Sequence, residues 1–142
     1  MIFCDTSTFA KYYVLESGTP KVRRLFGAGA QVHVSELVRV EVMSVFHRLF
    51  RDGKLTQSGF VAIRGQFDAD NASGLWTWLP VTSVITKAAA ETFATLPPSV
   101  FLRASDCIHL VTALHHNFDT IHTHDIHQAA AAITLGLKTI TL

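Results

Sequence analysis

The chain has 142 residues, of which 49% are hydrophobic and 16% charged, and its formal net charge is +1 at pH 7. We expect one globular domain over residues 1–142, with enough apolar surface to favour a partner or a homodimer. No secretory leader pattern and no run of about 18 apolar residues occur, so we expect a cytoplasmic protein without a membrane span. Cys4 and Cys107 are too few for a disulfide framework.

Short apolar runs rich in β-forming residues alternate with helical patterns along the chain. The predicted strands cover residues 2–4, 31–34, 77–81, 120–122 and 139–142. The predicted helices cover residues 7–16, 20–26, 35–50, 56–72, 83–95 and 103–116, and the last runs from Asp125 to Gly136. This alternation predicts an α/β domain with a mostly parallel sheet. The helix over 35–50 is apolar around more than half its circumference, so it needs two apolar neighbours, one of which a second subunit could supply.

Four carboxylates fall where a parallel sheet presents its ligand-binding edge. Ligands bind outside the carboxyl ends of the strands in open α/β sheets. Asp5 directly follows the first predicted strand, and Asp125 follows the fourth after two residues. Glu41 and Asp106 lie on helices that should begin at the same edge. We therefore expect these four side chains to lie close together.

Each acid also has a purely structural explanation when it is considered alone. Asp5 could cap the first helix, and Asp125 could form a capping box with Gln128. Asp106 could simply complement the dipole of its helix.

The four acids together point to a divalent cation. Carboxylates gathered at one edge repel one another and raise one another's pKa values unless a cation neutralises them. Oxygen-only ligands suit Mg²⁺ or Mn²⁺, which bind through a few carboxylates together with substrate phosphate oxygens. Such ions activate water and stabilise the leaving oxygen in phosphodiester hydrolysis.

Four sequence blocks carry a family resemblance: IFCDTS at 2–7, the segment 35–41 with Arg48 beyond it, LRASDCIHL at 102–110, and THD at 123–125 with Gly-Leu at 136–137. In this order they resemble the blocks of PIN-domain ribonucleases, closest to the VapC-type toxins of bacterial toxin–antitoxin modules. The resemblance implies a three-layer α/β/α sandwich, an acidic pocket holding Mg²⁺ or Mn²⁺, endonucleolytic cleavage of RNA, and a cognate antitoxin that blocks the pocket. The metal-binding and catalytic acids that it implies are Asp5, Glu41, Asp106 and Asp125.

Glu41 matches the spacing of the second block better than Glu36 does. Glu36 falls at the very start of its helix, where an acid is expected for dipole reasons alone. Taken alone, Glu41 could instead be a surface residue paired with Arg39 or Arg48.

Five further residues are expected to support the site or contact substrate. By resemblance, Thr6, Ser7 and Thr123 supply hydroxyl groups beside the acids. Arg103 could reach a substrate phosphate or hold the Asp106 carboxylate in place. His109, one turn after Asp106, could contact substrate or be a satisfied interior histidine.

The histidines of the stretch IHTHDIH, at 121–127, suggest a zinc site at first sight. Zinc hydrolases of the metallo-β-lactamase type need H-x-H-x-D-H, whereas this chain reads H-T-H-D-I-H, with the aspartate and last histidine one residue early. We therefore expect His122, His124 and His127 to be exposed or hydrogen-bonded rather than zinc ligands.

Other functions fit the sequence less well. A haloacid-dehalogenase-like phosphatase needs D-x-D after the first strand, and the chain has Ser7 at the third position. A catalytically inert PIN-like binding module would lack an acid, and all four are present. A PIN nuclease outside any toxin–antitoxin system is the other alternative.

Overall fold

The computed structural model describes all residues from Met1 to Leu142 and contains a parallel sheet at its centre. Its strands are β1 (Ile2–Phe3), β2 (Val32–Ser35), β3 (Trp76–Leu79), β4 (Thr120–His122) and β5 (Lys138–Ile140). The pairs β1–β2, β2–β3 and β4–β5 are parallel, and one parallel bridge between Cys4 and His122 joins β1 to β4. The strand order is therefore β3-β2-β1-β4-β5, and it reverses between β1 and β4. Doubly wound sheets bind ligands in the crevice at the carboxyl ends of the two strands where the order reverses.

Seven helices cover the two faces of the sheet. They are α1 (Thr6–Tyr13), α2 (Thr19–Gly27), α3 (Leu37–Arg51), α4 (Gln57–Ala72), α5 (Ser83–Thr95), α6 (Ala104–His115) and α7 (Ile126–Thr134). Along β1, Ile2 and Cys4 pack into a hydrophobic cluster with α1 to α4, whereas Phe3 packs into a second cluster with α6 and α7. Alternate residues of a strand point to opposite faces, so this packing gives the predicted three-layer α/β/α sandwich. None of the helices combines the length and hydropathy needed to cross a membrane.

Local polar contacts shift some of the predicted boundaries. Helix α1 ends at Tyr13 rather than at position 16, because Val14 turns to extended backbone and its carbonyl accepts a hydrogen bond from Thr19 Oγ1 at 2.8 Å. Ser35, predicted to begin α3, instead ends β2 and pairs with β3. The bounds of α5, Ser83–Thr95, are as predicted.

Candidate active-site cleft

Asp5 occupies the carboxyl end of β1 and is only 3% exposed. Its carboxylate accepts hydrogen bonds from the Thr8 N–H at 3.0 Å and from the Ser7 and Thr123 hydroxyls, each at 2.8 Å. Asp5 is thus the N-cap of α1 and also lines the cleft described below. Burial raises the pKa of the Asp5 carboxyl group, although the charge of a protonated His109 and these hydrogen bonds act in the opposite direction.

Thr123 and Gln128 lie fully buried behind Asp5. Thr123 Oγ1 is 2.8 Å from Asp5 Oδ2 and 3.1 Å from Gln128 Oε1, so the single hydroxyl hydrogen has two acceptors. The Gln128 side-chain amide donates to the Asp106 carbonyl at 3.2 Å and thereby joins α7 to α6. Asp125 caps α7, as predicted, but the capping box is wrong, because the Gln128 side chain turns inward and does not return to Asp125.

Glu41 is held between α1 and α6. Its carboxylate accepts a hydrogen bond from the Thr6 hydroxyl and another, at 2.7 Å, from Nε2 of His109, which is 1% exposed. Burial raises the pKa of Glu41, but hydrogen bonds from His109, Thr6 and Ser105 and the charge of a protonated His109 outweigh it, so the pKa is lowered overall. The surface ion pair with Arg39 or Arg48 is therefore not formed, because Glu41 points toward α6.

Asp106 and Asp125 face each other beneath Arg103. The Arg103 guanidinium lies 3.3 Å from Asp125 Oδ2 and 3.8 Å from Asp106 Oδ2, within hydrogen-bond distance of Asp125 alone. Burial and the Asp125 charge raise the pKa of Asp106. Burial also raises the pKa of Asp125, but the backbone N–H groups of Gln128 and His127 and the Arg103 charge lower it further than burial raises it. Asp106 Oδ2 is buried without any hydrogen-bond partner.

These side chains surround a cleft of about 520 Å³. The predicted site residues that line it are Asp5, Thr6, Ser7, Glu41, Arg103, Asp106, His109 and Asp125, while Thr123 lies buried beneath Asp5. Sequence reasoning missed Lys11 and Ser105, which also line the cleft. Lys11 follows Ser7 by four residues, and this helical spacing would have placed it on the same face. Lys11, Arg48 and Arg103 give the otherwise acidic cleft a cationic margin.

The donor set in the cleft suits a hard divalent cation. Asp106 Oδ2 is buried without a hydrogen bond, and the raised pKa values of Asp5 and Asp106 indicate that the groups around these two carboxylates stabilise their negative charge incompletely. No three His, Cys, Asp or Glu side chains are arranged so that they could hold an ion by themselves. The site is therefore not a closed cage of protein ligands. An open arrangement of this kind suits Mg²⁺, because Mg²⁺ keeps several of its waters and binds only one or two carboxylates.

The three histidines of the last block point to three different places. His122 is buried, and its Nδ1 donates to the Phe3 carbonyl at 3.3 Å. His124 bridges α1 and the C-terminal residue, with Nδ1 3.1 Å from the Thr8 hydroxyl and Nε2 3.0 Å from the Leu142 carbonyl. His127 is exposed on α7. The ring nitrogens of His122 and His124 therefore have separate partners, and His127 lies apart from both on the exposed side of α7.

The family model of the PIN domain matches residues 2–134 of the chain. The chain belongs to the PIN-domain family. The match covers the first three sequence blocks and the THD stretch of the fourth, and it confirms the resemblance to PIN domains. Among curated protein sequences, none matches this PIN domain significantly.

Solved structures similar to this PIN domain include toxins and toxin–antitoxin complexes. Mycobacterium tuberculosis VapC20, a sarcin-ricin loop cleaving toxin, matches with a TM-score of 0.72 and 19% identity over 92% of this chain and 95% of that one. FitAcB from Neisseria gonorrhoeae matches with a TM-score of 0.72 and 16% identity, over 99% and 96% of the two chains. VapBC2 from Rickettsia felis, bound to a promoter DNA fragment, matches at 0.68 and 13%, over 100% and 99%. At these identities the similarity establishes the fold.

Proposed function

We propose that this PIN domain is a divalent-metal-dependent endoribonuclease and the toxin component of a toxin–antitoxin pair. The PIN family comprises nucleases that generally use divalent ions. The observation that carries the proposal is the cleft at the β1–β4 crevice, where Asp106 presents a buried, unpartnered carboxylate oxygen beside Asp125. Arg103 lies 3.8 Å from this oxygen, beyond hydrogen-bond distance. A buried carboxylate oxygen is costly unless it gains a hydrogen bond or a closer cation.

Asp5 and Asp106 are the principal metal-binding residues in this proposal, and Asp125 and Glu41 complete the acidic wall. When bound, Mg²⁺ or Mn²⁺ supplies Lewis-acid activation of water and charge stabilisation at the phosphate. The protein holds these acids in place. The Thr123 and Ser7 hydroxyls both donate hydrogen bonds to the Asp5 carboxylate and thereby fix its orientation.

Two other groups keep the remaining acids oriented. His109 and Thr6 hold the Glu41 carboxylate, and their hydrogen bonds contribute to its lowered pKa. Arg103 keeps Asp125 turned toward the cleft at 3.3 Å. Because the Arg103 side chain is mostly exposed, it can also contact a substrate phosphate at the mouth of the cleft.

An RNA substrate and an antitoxin partner are supported by the structural relatives. VapC20 is a sarcin-ricin loop cleaving toxin, and a toxin–antitoxin complex from Klebsiella pneumoniae contains a chain of the same fold, with a TM-score of 0.60 and 16% identity. We infer that a cognate antitoxin blocks the acidic cleft with basic side chains, and that the protein acts as a cytoplasmic homodimer. The presence of all four acids favours an active nuclease over an inert PIN-like binding module, while a PIN nuclease outside a toxin–antitoxin pair is the second candidate.

The test is cleavage of a mixed pool of structured RNAs by the purified protein with Mg²⁺, Mn²⁺, Zn²⁺ or EDTA. Asp106→Asn removes the charge at the unpartnered oxygen, and Asp68→Asn makes the same change on the exposed face of α4, where Asp68 pairs with Arg64 at 3.7 Å. We expect cleavage with Mg²⁺ or Mn²⁺ by the wild type and by Asp68→Asn, and none by Asp106→Asn. Calorimetric titration with Mn²⁺ should show the same ranking. Equal cleavage by the two variants would contradict the proposal.

A further inference from the structure

The segment that leads into α6 holds an aromatic side chain out in solvent. A turn over residues 97–100 is closed by a hydrogen bond of 2.9 Å from its last N–H to its first carbonyl. Val100 and Leu102 then pack against the hydrophobic cluster under α6 and α7. Phe101, between them, is 57% exposed. Because both neighbours are anchored inward, the Phe101 ring has a fixed outward position instead of belonging to a loose loop.

Two polar side chains adjoin this ring, namely Arg103, which lines the acidic cleft, and His127, which lies in the first turn of α7. The His127 imidazole meets the Phe101 ring edge to face, with centroids 5.0 Å apart and planes at 67°. The Arg103 guanidinium carbon lies 5.8 Å from the centroid of the same ring, within cation–π range. Arg103 also bonds to Asp125, whose Oδ1 accepts the His127 N–H at 2.8 Å. We call Phe101, Arg103 and His127 the aromatic lip.

We propose that the aromatic lip stacks a nucleobase of the RNA next to the scissile phosphate, and that Phe101 is a substrate-positioning residue for cleavage. This inference rests on the proposed function. Every nucleobase has a π-face that stacks on aromatic rings, and single-stranded RNA is read in this way. A neighbouring arginine supplies a charge for the adjoining phosphate. Charged residues are depleted at the core of protein–protein interfaces, so an exposed phenylalanine beside the Arg103 guanidinium suits a nucleotide better than a protein partner.

Cleavage of base-deleted substrates tests the assignment. A short single-stranded RNA spanning a mapped cut site is made with each flanking nucleotide replaced in turn by an abasic one. We expect the wild type to lose about 5- to 100-fold in kcat/KM at one position, the range given by stacking on one aromatic side chain. Phe101→Ala should lose the same factor on intact RNA and nothing further on the abasic one. Phe101→Trp should still cleave intact RNA faster than the abasic RNA. Phe93→Ala, which truncates an exposed phenylalanine on α5, should do the same.

A binding measurement without cleavage separates this inference from the nuclease proposal. A fluorescent adenine analogue, placed in turn at each position of a short single-stranded RNA, is titrated with each protein in EDTA. Quenching that is present in the wild type and Phe93→Ala and lost in Phe101→Ala supports stacking, even if no metal restores cleavage and the nuclease proposal fails. The inference is overturned if Phe101→Ala quenches normally, or if abasic losses are equal in the variant and the wild type. A change of oligomeric state in Phe101→Ala on sedimentation would overturn it as well, since Phe101 would then be a contact between subunits.

Discussion

His109 Nε2 lies 2.7 Å from Glu41 Oε2 and thereby links α6 to α3 beneath the cleft. A carboxylate can only accept, so the imidazole must donate at this atom. In the proposed reaction, His109 is therefore a positioning residue that acts through Glu41.

Replacing His109 by alanine should slow cleavage and move its pH dependence. Loss of a residue that orients a metal-site carboxylate costs about 10- to 100-fold in activity or metal affinity. The pKa of Glu41 should rise when the His109 hydrogen bond is lost, so the acid limb of the pH–rate profile should move to higher pH. His109→Gln, which can still donate, should restore part of both properties, and His47→Ala on the exposed side of α3 serves as control. An unmoved acid limb in His109→Ala would mean that Glu41 is not the group that limits activity at low pH.

Asp5→Asn should lower the rate of cleavage by about 100-fold or more. It should not lower the stability of the fold. Asparagine is as good an N-cap as aspartate. Its amide N–H could donate to Thr123 Oγ1, whose own hydrogen would then serve Gln128 Oε1. Every polar atom of the network would keep a partner, and a buried charge would be gone.

The pH dependence of stability distinguishes wild-type Asp5 from asparagine. Burial raises the folded-state pKa of Asp5 above its ordinary value of 3.8. The native state then holds more protons than the unfolded state as the pH rises through that value, so the wild type loses stability relative to the variant over this range. Urea denaturation at several pH values, without divalent ions, measures this effect. The free energy of unfolding of the variant should increase relative to that of the wild type from about pH 4 upward. A constant difference across that range would argue against a raised pKa.

Tyr13 is the centre of a buried polar network, and removing its hydroxyl should destabilise the protein. The Tyr13 hydroxyl donates to Asp70 Oδ2 at 2.9 Å and accepts from Trp76 Nε1 at 2.8 Å. Tyr13→Phe leaves both partners unsatisfied, so we expect a loss of about 1–3 kcal/mol in the free energy of unfolding. Tyr12→Phe, one residue earlier, is the control, because Tyr12 contributes ring contacts to the same core.

Alkaline denaturation gives a second measurement on the same residue. Burial and the bond to Asp70 raise the pKa of Tyr13 far above its ordinary value of 10.0. The unfolded state therefore releases this proton first, and wild-type stability should decline as the pH rises above about 10. The decline should be smaller in Tyr13→Phe, and an equally steep decline in both proteins would count against the raised pKa.

Gly18 should resist substitution more than Gly136, although both have left-handed backbone with φ of +89° and +87°. A Cβ at Gly18 would lie 3.2 Å from His124 Nε2 and 3.3 Å from the Leu142 carbonyl, whereas one at Gly136 would meet nothing within 4 Å. Both alanine variants pay the backbone strain of about 1–2 kcal/mol, and only Gly18→Ala also disturbs the His124 hydrogen bond. Thermal unfolding should therefore rank Gly136→Ala above Gly18→Ala in stability, and equal values would show that His124 and Leu142 move aside freely.

Periodicity and strand-end positions were sufficient to predict the sheet and the place of Asp5 and Asp125. Strand ends are local features, and in a parallel sheet they share an edge whatever the side-chain contacts are. The partner of Glu41 could not be found in this way, because His109 is 68 positions away and meets it only after α3 and α6 have packed. Local spacing favoured Arg39 and Arg48 instead.

Gln128 shows the same limit on a smaller scale. Its distance from Asp125 matches a capping box, but the fully buried amide bonds to Thr123 and Asp106. Whether a side chain turns outward to a cap or inward to a neighbouring helix depends on tertiary packing. The catalytic roles of the nine predicted site residues, the homodimer and the single-domain organisation stay predictions.

The sheet is weakly paired along one line, between its central strands β1 and β4, and we call this line the seam. Between β1 and β4 the backbone pairing consists of one bridge, Cys4 with His122, next to the Asp5 N–H, which donates to the His122 carbonyl. Asp5 and Glu41 lie on one side of this seam in the chain, and Asp106 and Asp125 on the other. An ion bound by carboxylates from both sides would therefore act as a staple across the least paired line of the sheet, slowing hydrogen exchange there as it assembles the site.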